Sequence, residues 1–567
     1  MDSVVELRAR AEPLVGSELA DHIARWFDED PDPVTREELV ELVADGASDE
    51  LADRFGRRIG FGTAGLRGRM GVGPNRMNRL VVRHAAAGLM RYLPSGATVA
   101  IGFDARHGSQ AFAEETARVV AAAGGQAVLL PGPNPTPLVP FAVRHLGADA
   151  GVMVTASHNP APDNGYKVYL AGGAQLVAPS DAEIAALIAE ASTEPVPRAT
   201  ADDSAISSAG PEVTEAFLAM VDRCRLVPDS PGVATVYTPL HGVGAELLLA
   251  AFDRAGFPPP AVVAEQAEPD PDFPTTPFPN PEEPGTFDLA FDLADRERPE
   301  LVLAHDSDAD RLGAAIPDGD GWRMLTGNEI GVLLGDHILR HTTGGDRLVV
   351  TTIVSSRMLG RMAAAAGVRY AATLTGFKWI VRPGLDDPAA RFVFGYEEAL
   401  GYLVTDELLD KDGISASVLL VEAAGVLAAT GRTLADRLDE LAVEHGLHHS
   451  ETWSVRFTGL DARDRMREVM SQLRSNPPTE LAGMAVSGFH DYAQGGDLPP
   501  TDAVALEMGD QARVLARPSN TEPKIKLYLE VVLATTAETL QADRADASEL
   551  LEDLRAGLAG HLHLDSG

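Results

Sequence analysis

Gly151-Val152-Met153-Val154-Thr155-Ala156-Ser157-His158-Asn159-Pro160 opens on an apolar run and closes on a polar loop. Four apolar residues that end at turn formers are the pattern of a strand buried on both faces, as in a parallel sheet. The next segment, Ala161-Pro162-Asp163-Asn164-Gly165-Tyr166-Lys167, is full of turn formers and predicts that the loop continues. A hydroxyl, an imidazole and a lysine amine then share one loop at the carboxyl end of a strand, where open α/β sheets bind ligands. Adjacent residues on an extended loop point apart, so Ser157 and His158 are not expected to meet. A hydrolase pair is a weak reading, because the Gly-x-Ser-x-Gly elbow is missing.

Outward from this loop, strands and helices alternate. A strand at Thr98–Phe103 ends on Asp104-Ala105-Arg106, and a helix, a second strand and the Pro-rich turn 131–137 follow. Upstream, residues 1 to about 58 have helical periodicity, and Gly60 to Arg69 surround Arg67 with glycines. Downstream, a Ser/Thr/Pro-rich passage near 192–212 reads as a linker, and the alternation restarts towards Leu301-Val302-Leu303-Ala304. The prolines of 268–285 predict an excursion without regular structure. A third α/β unit opens with a helix at Thr326, its last helix ending near Thr430. From about 450 the pattern becomes that of a smaller α+β domain with an acidic C-terminal helix. The alternation predicts βαβ units and mostly parallel sheets. The expected domains are 1–210, 211–325, 326–448 and 449–567.

The length of 567 residues exceeds a single core, and 45% apolar residues with mean hydropathy near zero suit a soluble globular chain. No apolar stretch is long enough to cross a bilayer. Met1 to Leu7 lack the basic and apolar regions of a signal peptide, and the single Cys224 excludes a disulfide framework or a cysteine-built metal site. A cytoplasmic location is expected. The formal charge of −37, from 47 basic and 84 acidic residues, disfavours nucleic acid and anionic membranes as partners. An anionic substrate would need basic residues gathered locally.

Asp306, Asp308 and Asp310 follow the 301–304 strand in His305-Asp306-Ser307-Asp308-Ala309-Asp310-Arg311. Alternate positions of an extended segment face one way, so three carboxylates can close on one hard cation, with room left for a phosphoryl oxygen. That set fits Mg²⁺; the glycine and distal glutamate of a calcium loop are absent. Arg517-Pro518-Ser519-Asn520-Thr521-Glu522-Pro523-Lys524-Ile525-Lys526 concentrates cations and hydroxyls of the kind that grip a phosphate dianion. Gly395-Tyr396-Glu397-Glu398-Ala399-Leu400-Gly401-Tyr402 offers carboxylates to sugar hydroxyls, and Thr375-Gly376-Phe377-Lys378 is a further basic loop.

In this order the blocks resemble the α-D-phosphohexomutase superfamily, which includes phosphoglucomutase, phosphomannomutase and phosphopentomutase, over about residues 50 to 530. The resemblance implies an α/β fold of four domains around a central cleft: three mixed-sheet α/β domains and a smaller C-terminal α+β domain. It implies that Ser157 carries the phosphoryl group, and that Asp306, Asp308 and Asp310 hold Mg²⁺ together with a phosphoserine oxygen. Arg67 and Lys167 match residues that assist proton transfer and orient phosphate, and His158 flanks the nucleophile. Arg311, Thr375, Gly376, Lys378, Glu397 and Ala399 fall on substrate-binding positions. Arg517, Ser519, Asn520, Thr521 and Lys526 fall on the site for the non-reacting phosphate. The implied reaction moves a phosphoryl group between the 1-position and the 6- or 5-position of an aldose phosphate. It passes through a bisphosphate, with a sugar bisphosphate such as glucose 1,6-bisphosphate as activator. The expected partner is a small phosphosugar, and the expected state a monomer or weak homodimer.

Glu397-Glu398-Ala399 departs from the Glu-x-Ser of bacterial phosphomannomutase/phosphoglucomutase. With the helical lead-in and Asn280-Pro281-Glu282-Glu283-Pro284, it leans towards the subgroup with phosphopentomutase and glucose-1,6-bisphosphate synthase. A metal-dependent sugar phosphatase and a non-catalytic sugar-phosphate binder remain as alternatives. The first would release phosphate; the second would have no need of Ser157, three aspartates and Lys167 together.

Overall fold

The computed structural model describes residues 3–459, 461–519 and 523–564. The chain folds as two compact units. One holds the residues up to Leu325 with Leu400–Glu422, and the other Thr326–Ala399 with the residues from Ala423 onward.

The first unit begins with helices Val4–Val15, Ser17–Glu29, Pro33–Ala44 and Ser48–Phe55, as the periodicity predicts. Asp32 caps the third, accepting from the Val34 amide at 3.0 Å with Pro33 in the first turn, where its missing N–H costs nothing. Ala20, Ile23, Ala24 and Phe27 recur at helical spacing and are buried.

Six strands follow: β1 (Leu66–Arg69), β2 (Thr98–Phe103), β3 (Gln126–Leu129), β4 (Ala150–Val154), β5 (Asp163–Leu170) and β6 (Ile206–Ser208). They lie in the order β1-β5-β4-β2-β3-β6. The β2, β3, β4 and β6 pairings are parallel, but β5 runs antiparallel to β4 and to β1. This corrects the expectation that Lys167 lies on a loop. A parallel return needs a crossover of a dozen or more residues, and 155–162 is too short for one. Tyr166-Lys167-Val168 therefore turns straight back as a strand, with Lys167 opposite Met153. Strand alternation then puts Tyr166 and Val168 into the core and Lys167 on the other face. The passage read as a linker is a packed strap, since Ile206 pairs with Ala127 and Arg198 reaches the buried Glu115 at 3.3 Å.

The second sheet comprises β7 (Thr235–Thr238), β8 (Ala261–Val262), β9 (Leu301–Ala304), β10 (Gly313–Asp318) and β11 (Gly321–Met324), ordered β11-β10-β9-β7-β8. Alternation predicts the strands at β7 and β9, which pair in parallel; β8, parallel to β7, was not foreseen. The β10–β11 hairpin was not foreseen either, although Gly319-Asp320 between two short strands is a hairpin signal. Residues 268–285 lack helix and strand, as expected.

In the second unit, helix Gly327–His341 starts from a reciprocal Thr326/Glu329 capping box. Strands β12 (Arg347–Thr352), β13 (Arg369–Thr373) and β14 (Arg391–Glu397) are parallel, with β12 in the middle. The helix expected to close this region, Gly413–Ala428, is followed by another, Leu434–His445. A five-stranded sheet follows, antiparallel throughout, in the order Leu447–Arg456, Lys524–Leu533, Ala512–Pro518, Val504–Met508 and Gly488–Asp491. Its core is shared with helices Ala462–Ser475 and Leu540–Leu562.

Glu530 on this sheet is buried and takes Ser356 Oγ at 2.7 Å, Arg357 Nε at 2.7 Å and His448 Nδ1 at 2.9 Å. Burial alone would raise its pKa, but His448, Arg513 and Arg357 hold it well below the usual carboxylate range. A depressed folded-state pKa stabilises above the unfolded value, about 4.3 for Glu, and that contribution is lost as pH falls below it. Glu530→Gln is expected to cost about 3 kcal/mol near neutral pH, the penalty of breaking a buried pair. Chemical denaturation at falling pH should show the wild type converging on the variant below about pH 4.

Candidate active site

Ser157 sits just beyond β4, with its amide donating to Thr155 Oγ1 at 2.8 Å and its φ at +51°. That left-handed conformation is uncommon for a residue with a Cβ, and it curls the loop. Ser157 Oγ consequently lies 3.1 Å from His158 Nδ1, against the expectation that neighbours point apart. It also lies 2.9 Å from Asp306 Oδ2. Burial, with Arg311 and Arg67 nearby, holds the His158 imidazole well below its usual pKa, so the ring is neutral near pH 7.

The three aspartates converge for a different reason from the one predicted. β9 ends at Ala304, and 305–310 is a coiled loop in which Ala309 has φ +54°. Curling, not strand alternation, brings one carboxylate oxygen of each of Asp306, Asp308 and Asp310 within 4.8 Å of the others. All three are fully buried, and Oδ1 of Asp308 and of Asp310 has no hydrogen-bond partner among the described residues. Three buried carboxylates, two of them with an orphaned oxygen, are a donor set that fits a hard divalent cation.

Cations close around the carboxylates. Lys167 Nζ is 2.8 Å from Asp308 Oδ2 and 2.9 Å from Asp310 Oδ2, and Lys411 Nζ is 3.1 Å from Asp310 Oδ2. Arg311 donates its amide to Asp306 Oδ1 at 3.1 Å and pairs with Glu282 at 3.2 Å. Arg67, on β1, reaches Asn159 Oδ1 at 3.3 Å. Burial and the flanking carboxylates push Asp306 well above the usual range. Burial acts on Asp308 and Asp310 as well, but Lys167, together with Thr136 at Asp308 and with Lys411 and Arg311 at Asp310, outweighs it, and both fall below that range. Burial disfavours the Lys167 ammonium, yet these two carboxylates raise its pKa and keep it charged. Arg67, Lys167, Arg311 and Lys411 line one pocket with Ser157, His158 and Asp310. In a chain of charge −37 this is a local basic concentration facing a nucleophilic oxygen.

The other predicted loops lie in the second unit. Thr375-Gly376 precedes the short helix Phe377–Ile380, which carries Lys378. The Gly376 amide donates to Glu397 Oε2 at 3.0 Å, so the basic loop and the carboxylate loop come together. Ala399 follows in the turn after β14. Arg517 lies opposite Lys526 on paired antiparallel strands, and the Ser519 amide donates to the Lys524 carbonyl at 2.8 Å. Asn520 and Thr521 lie outside the described residues.

Residues 58–195, 215–319, 326–444 and 476–547 match, in order, alpha/beta/alpha domains I, II and III and the C-terminal domain of phosphoglucomutase/phosphomannomutase. A Haemophilus influenzae protein named "Probable phosphomannomutase" is 40% identical over 501 residues, covering 86% of this chain and 98% of that one. This chain belongs to the phosphoglucomutase/phosphomannomutase family. The Homo sapiens phosphopentomutase is 36% identical over 558 residues, 90% of each chain. The crystal structure of a phosphoglucomutase/phosphomannomutase family protein from Burkholderia thailandensis shares the fold, with TM-score 0.66 and 20% identity. It covers 88% of this chain and 97% of that one.

For this phosphoglucomutase/phosphomannomutase family member, sequence reasoning missed Lys411 and Thr136. Lys411 had a signal, a lysine between Asp410 and Asp412 immediately before the apolar helix Gly413–Ala428. Gly413 is what lets that segment approach, since a Cβ there would lie 2.4 Å from the Arg311 carbonyl oxygen. Thr136 was hidden in the Pro-rich turn; its hydroxyl donates to Asp308 Oδ2 at 2.5 Å and its amide to the Asp308 carbonyl at 2.9 Å.

Among the described residues, no helix is long and apolar enough to cross a membrane.

Proposed function

We propose that the chain is a Mg²⁺-dependent phosphosugar mutase whose phosphoryl carrier is Ser157. The observation that supports this most directly is Ser157 Oγ, 2.9 Å from Asp306 and facing a pocket lined by Arg67, Lys167, Arg311 and Lys411. Phosphoserine gives its phosphoryl group to a free hydroxyl of the sugar phosphate: the Ser157 Oγ–P bond breaks, a sugar O–P bond forms, and the hydroxyl proton passes by way of a base to the freed Ser157 Oγ. The bisphosphate turns round, and its other phosphoryl group returns to Ser157. A sugar bisphosphate activator loads the serine in the same way.

Asp306, Asp308 and Asp310 would hold Mg²⁺, which when bound offsets charge on the transferring phosphoryl oxygens. Lys167, locked between two carboxylates, and Arg67 orient the phosphoryl group and assist proton transfer, while His158 flanks the nucleophile. Arg311, Thr375, Gly376 and Lys378 bind substrate, and Glu397 takes the sugar hydroxyls at a loop where Ala399 offers none. Arg517, Ser519, Asn520, Thr521 and Lys526 hold the non-reacting phosphate. The chain acts in the cytoplasm as a monomer or weak homodimer, a setting that suits the buried free thiol of Cys224.

Glucose 1-phosphate and mannose 1-phosphate are the first substrates to expect. A pentose 1-phosphate is the second reading, favoured by Ala399 and by the similarity to the human phosphopentomutase. The test is kcat/KM for glucose, mannose and ribose 1-phosphates with Mg²⁺ and a trace of glucose 1,6-bisphosphate. Isomerisation without phosphate release is expected; release matching the sugar phosphate consumed would make the chain a phosphatase instead.

A further inference from the structure

The side chain of Arg106 is fully buried and lies next to the Ser157 loop without touching the pocket. It comes from Asp104-Ala105-Arg106 at the carboxyl end of β2, the strand paired with β4. Its Nη1 and Nη2 donate to backbone carbonyls, while Nε faces Asp104. Nη2 donates to the Ser157 carbonyl at 2.5 Å and to the Asn159 carbonyl, and Nη1 donates to the carbonyls of Pro160 at 3.0 Å and Asp163 at 3.2 Å. Four carbonyls, three from the Ser157 loop and one from the first residue of β5, thus converge on one planar fork, a geometry that guanidinium fits and ammonium does not. Asp104 is the counter-ion at 3.4 Å and is itself fixed by Ser109 Oγ at 2.6 Å. Phe273, from the Pro-rich excursion, covers the guanidinium face at 4.8 Å.

The acidic loop shares the clamp. Ser307, between Asp306 and Asp308, donates its hydroxyl to the Ser157 carbonyl at 2.6 Å, and Arg106 Nη2 lies 3.5 Å from the same hydroxyl. Gly242 makes room for Ser307, since a Cβ there would stand 2.4 Å from its carbonyl oxygen. The serine loop and the aspartate loop, from two different sheets, are therefore joined at one point behind the nucleophile.

We propose that Arg106 is a positioning residue for phosphoryl transfer: it holds the Ser157 loop in its left-handed turn and fixes Ser157 Oγ in register with the Asp306–Asp310 loop. This rests on the mutase reading for its kinetic arm only. A carbonyl-clamping guanidinium is distinct from one that binds substrate, because its loss disturbs where the nucleophile stands and not what the pocket attracts. A displacement of the order of 1 Å costs about 10²-fold in rate.

The test uses Arg106→Lys, which keeps the charge and loses the fork, with Ser307→Ala as the second severed tie. Arg106→Lys is expected to lower kcat per folded enzyme about 10²-fold with KM for the sugar phosphate within about two-fold. Amide hydrogen exchange across 155–163 should quicken while the interiors of β2 and β4 keep their protection. Ser307→Ala should move both readouts the same way by less. Wild-type kcat in folded Arg106→Lys, a fall confined to KM, or unchanged exchange across the loop would each overturn the proposal. If the wild type itself interconverts no sugar phosphate, the mutase reading fails, and the exchange comparison still decides whether Arg106 orders the loop.

Discussion

Ser157→Ala is expected to lower mutase kcat by at least about 10⁴-fold, because the covalent carrier is removed and no neighbour can replace it. Asp306 Oδ2 and His158 Nδ1 stand 2.9 and 3.1 Å from the hydroxyl, but the first belongs to the metal set and the second only flanks the nucleophile. Folding should survive. The loop is tied through backbone atoms, by Thr155 Oγ1 to the Ser157 amide and by Ser307 Oγ to the Ser157 carbonyl, and alanine keeps both ties. Intact-mass measurement after incubation with glucose 1,6-bisphosphate should show one phosphoryl group on the wild type and none on the variant. Undiminished turnover, or a phosphoryl group found on another residue, would refute the role given to Ser157.

Asp308→Asn should be the next most damaging change, lowering kcat about 10³-fold. Asp308 faces two ways. Oδ2 receives Lys167 at 2.8 Å and Thr136 at 2.5 Å, leaving Oδ1 buried and orphaned towards its acidic neighbours. An amide that keeps its oxygen towards Lys167 turns N–H donors into the cation site, which excludes the ion and not merely one ligand. Wild-type protein should unfold at a higher temperature as Mg²⁺ is raised, by about 1–2 °C for each kcal/mol gained on binding, and Asp308→Asn should lose that shift. Without Mg²⁺ the variant should be about as stable as the wild type. The lost charge relieves the crowding that pushes Asp306 up, and Asp310 still pairs Lys167. A full Mg²⁺ shift in Asp308→Asn would remove Asp308 from the ligand set.

What the sequence made legible were features set by local chemistry. The 98–103 strand, the helical lead-in and the helix capped at Thr326 follow from periodicity and capping, which act over a few residues. The Ser157 loop and the aspartates could be found because each follows a short apolar run, at the strand end where α/β sheets place ligands. Features decided by distant partners were misread or missed. Lys167 was assigned to a loop because turn formers precede it, while its fate was set by the lack of room for a crossover. The convergence of the aspartates was expected from strand alternation, but it comes from the left-handed Ala309, which no pattern of side chains announces. Lys411 lies some hundred positions beyond Asp310, and nothing local says that the chain comes back.

That return has a consequence for how the protein is made. Leu400–Glu422 belongs with the first unit, yet the ribosome produces it only after the whole stretch Thr326–Ala399. Domains form in the order of their synthesis, at about 5–20 residues per second. For several seconds the nascent first unit therefore carries its three buried aspartates without Lys411 and without the glycine-started helix that backs them. The acidic loop is consequently the last part of that unit to mature during translation. A chain stalled before residue 400 should expose the loop 305–311 to protease, and one released past 422 should shield it.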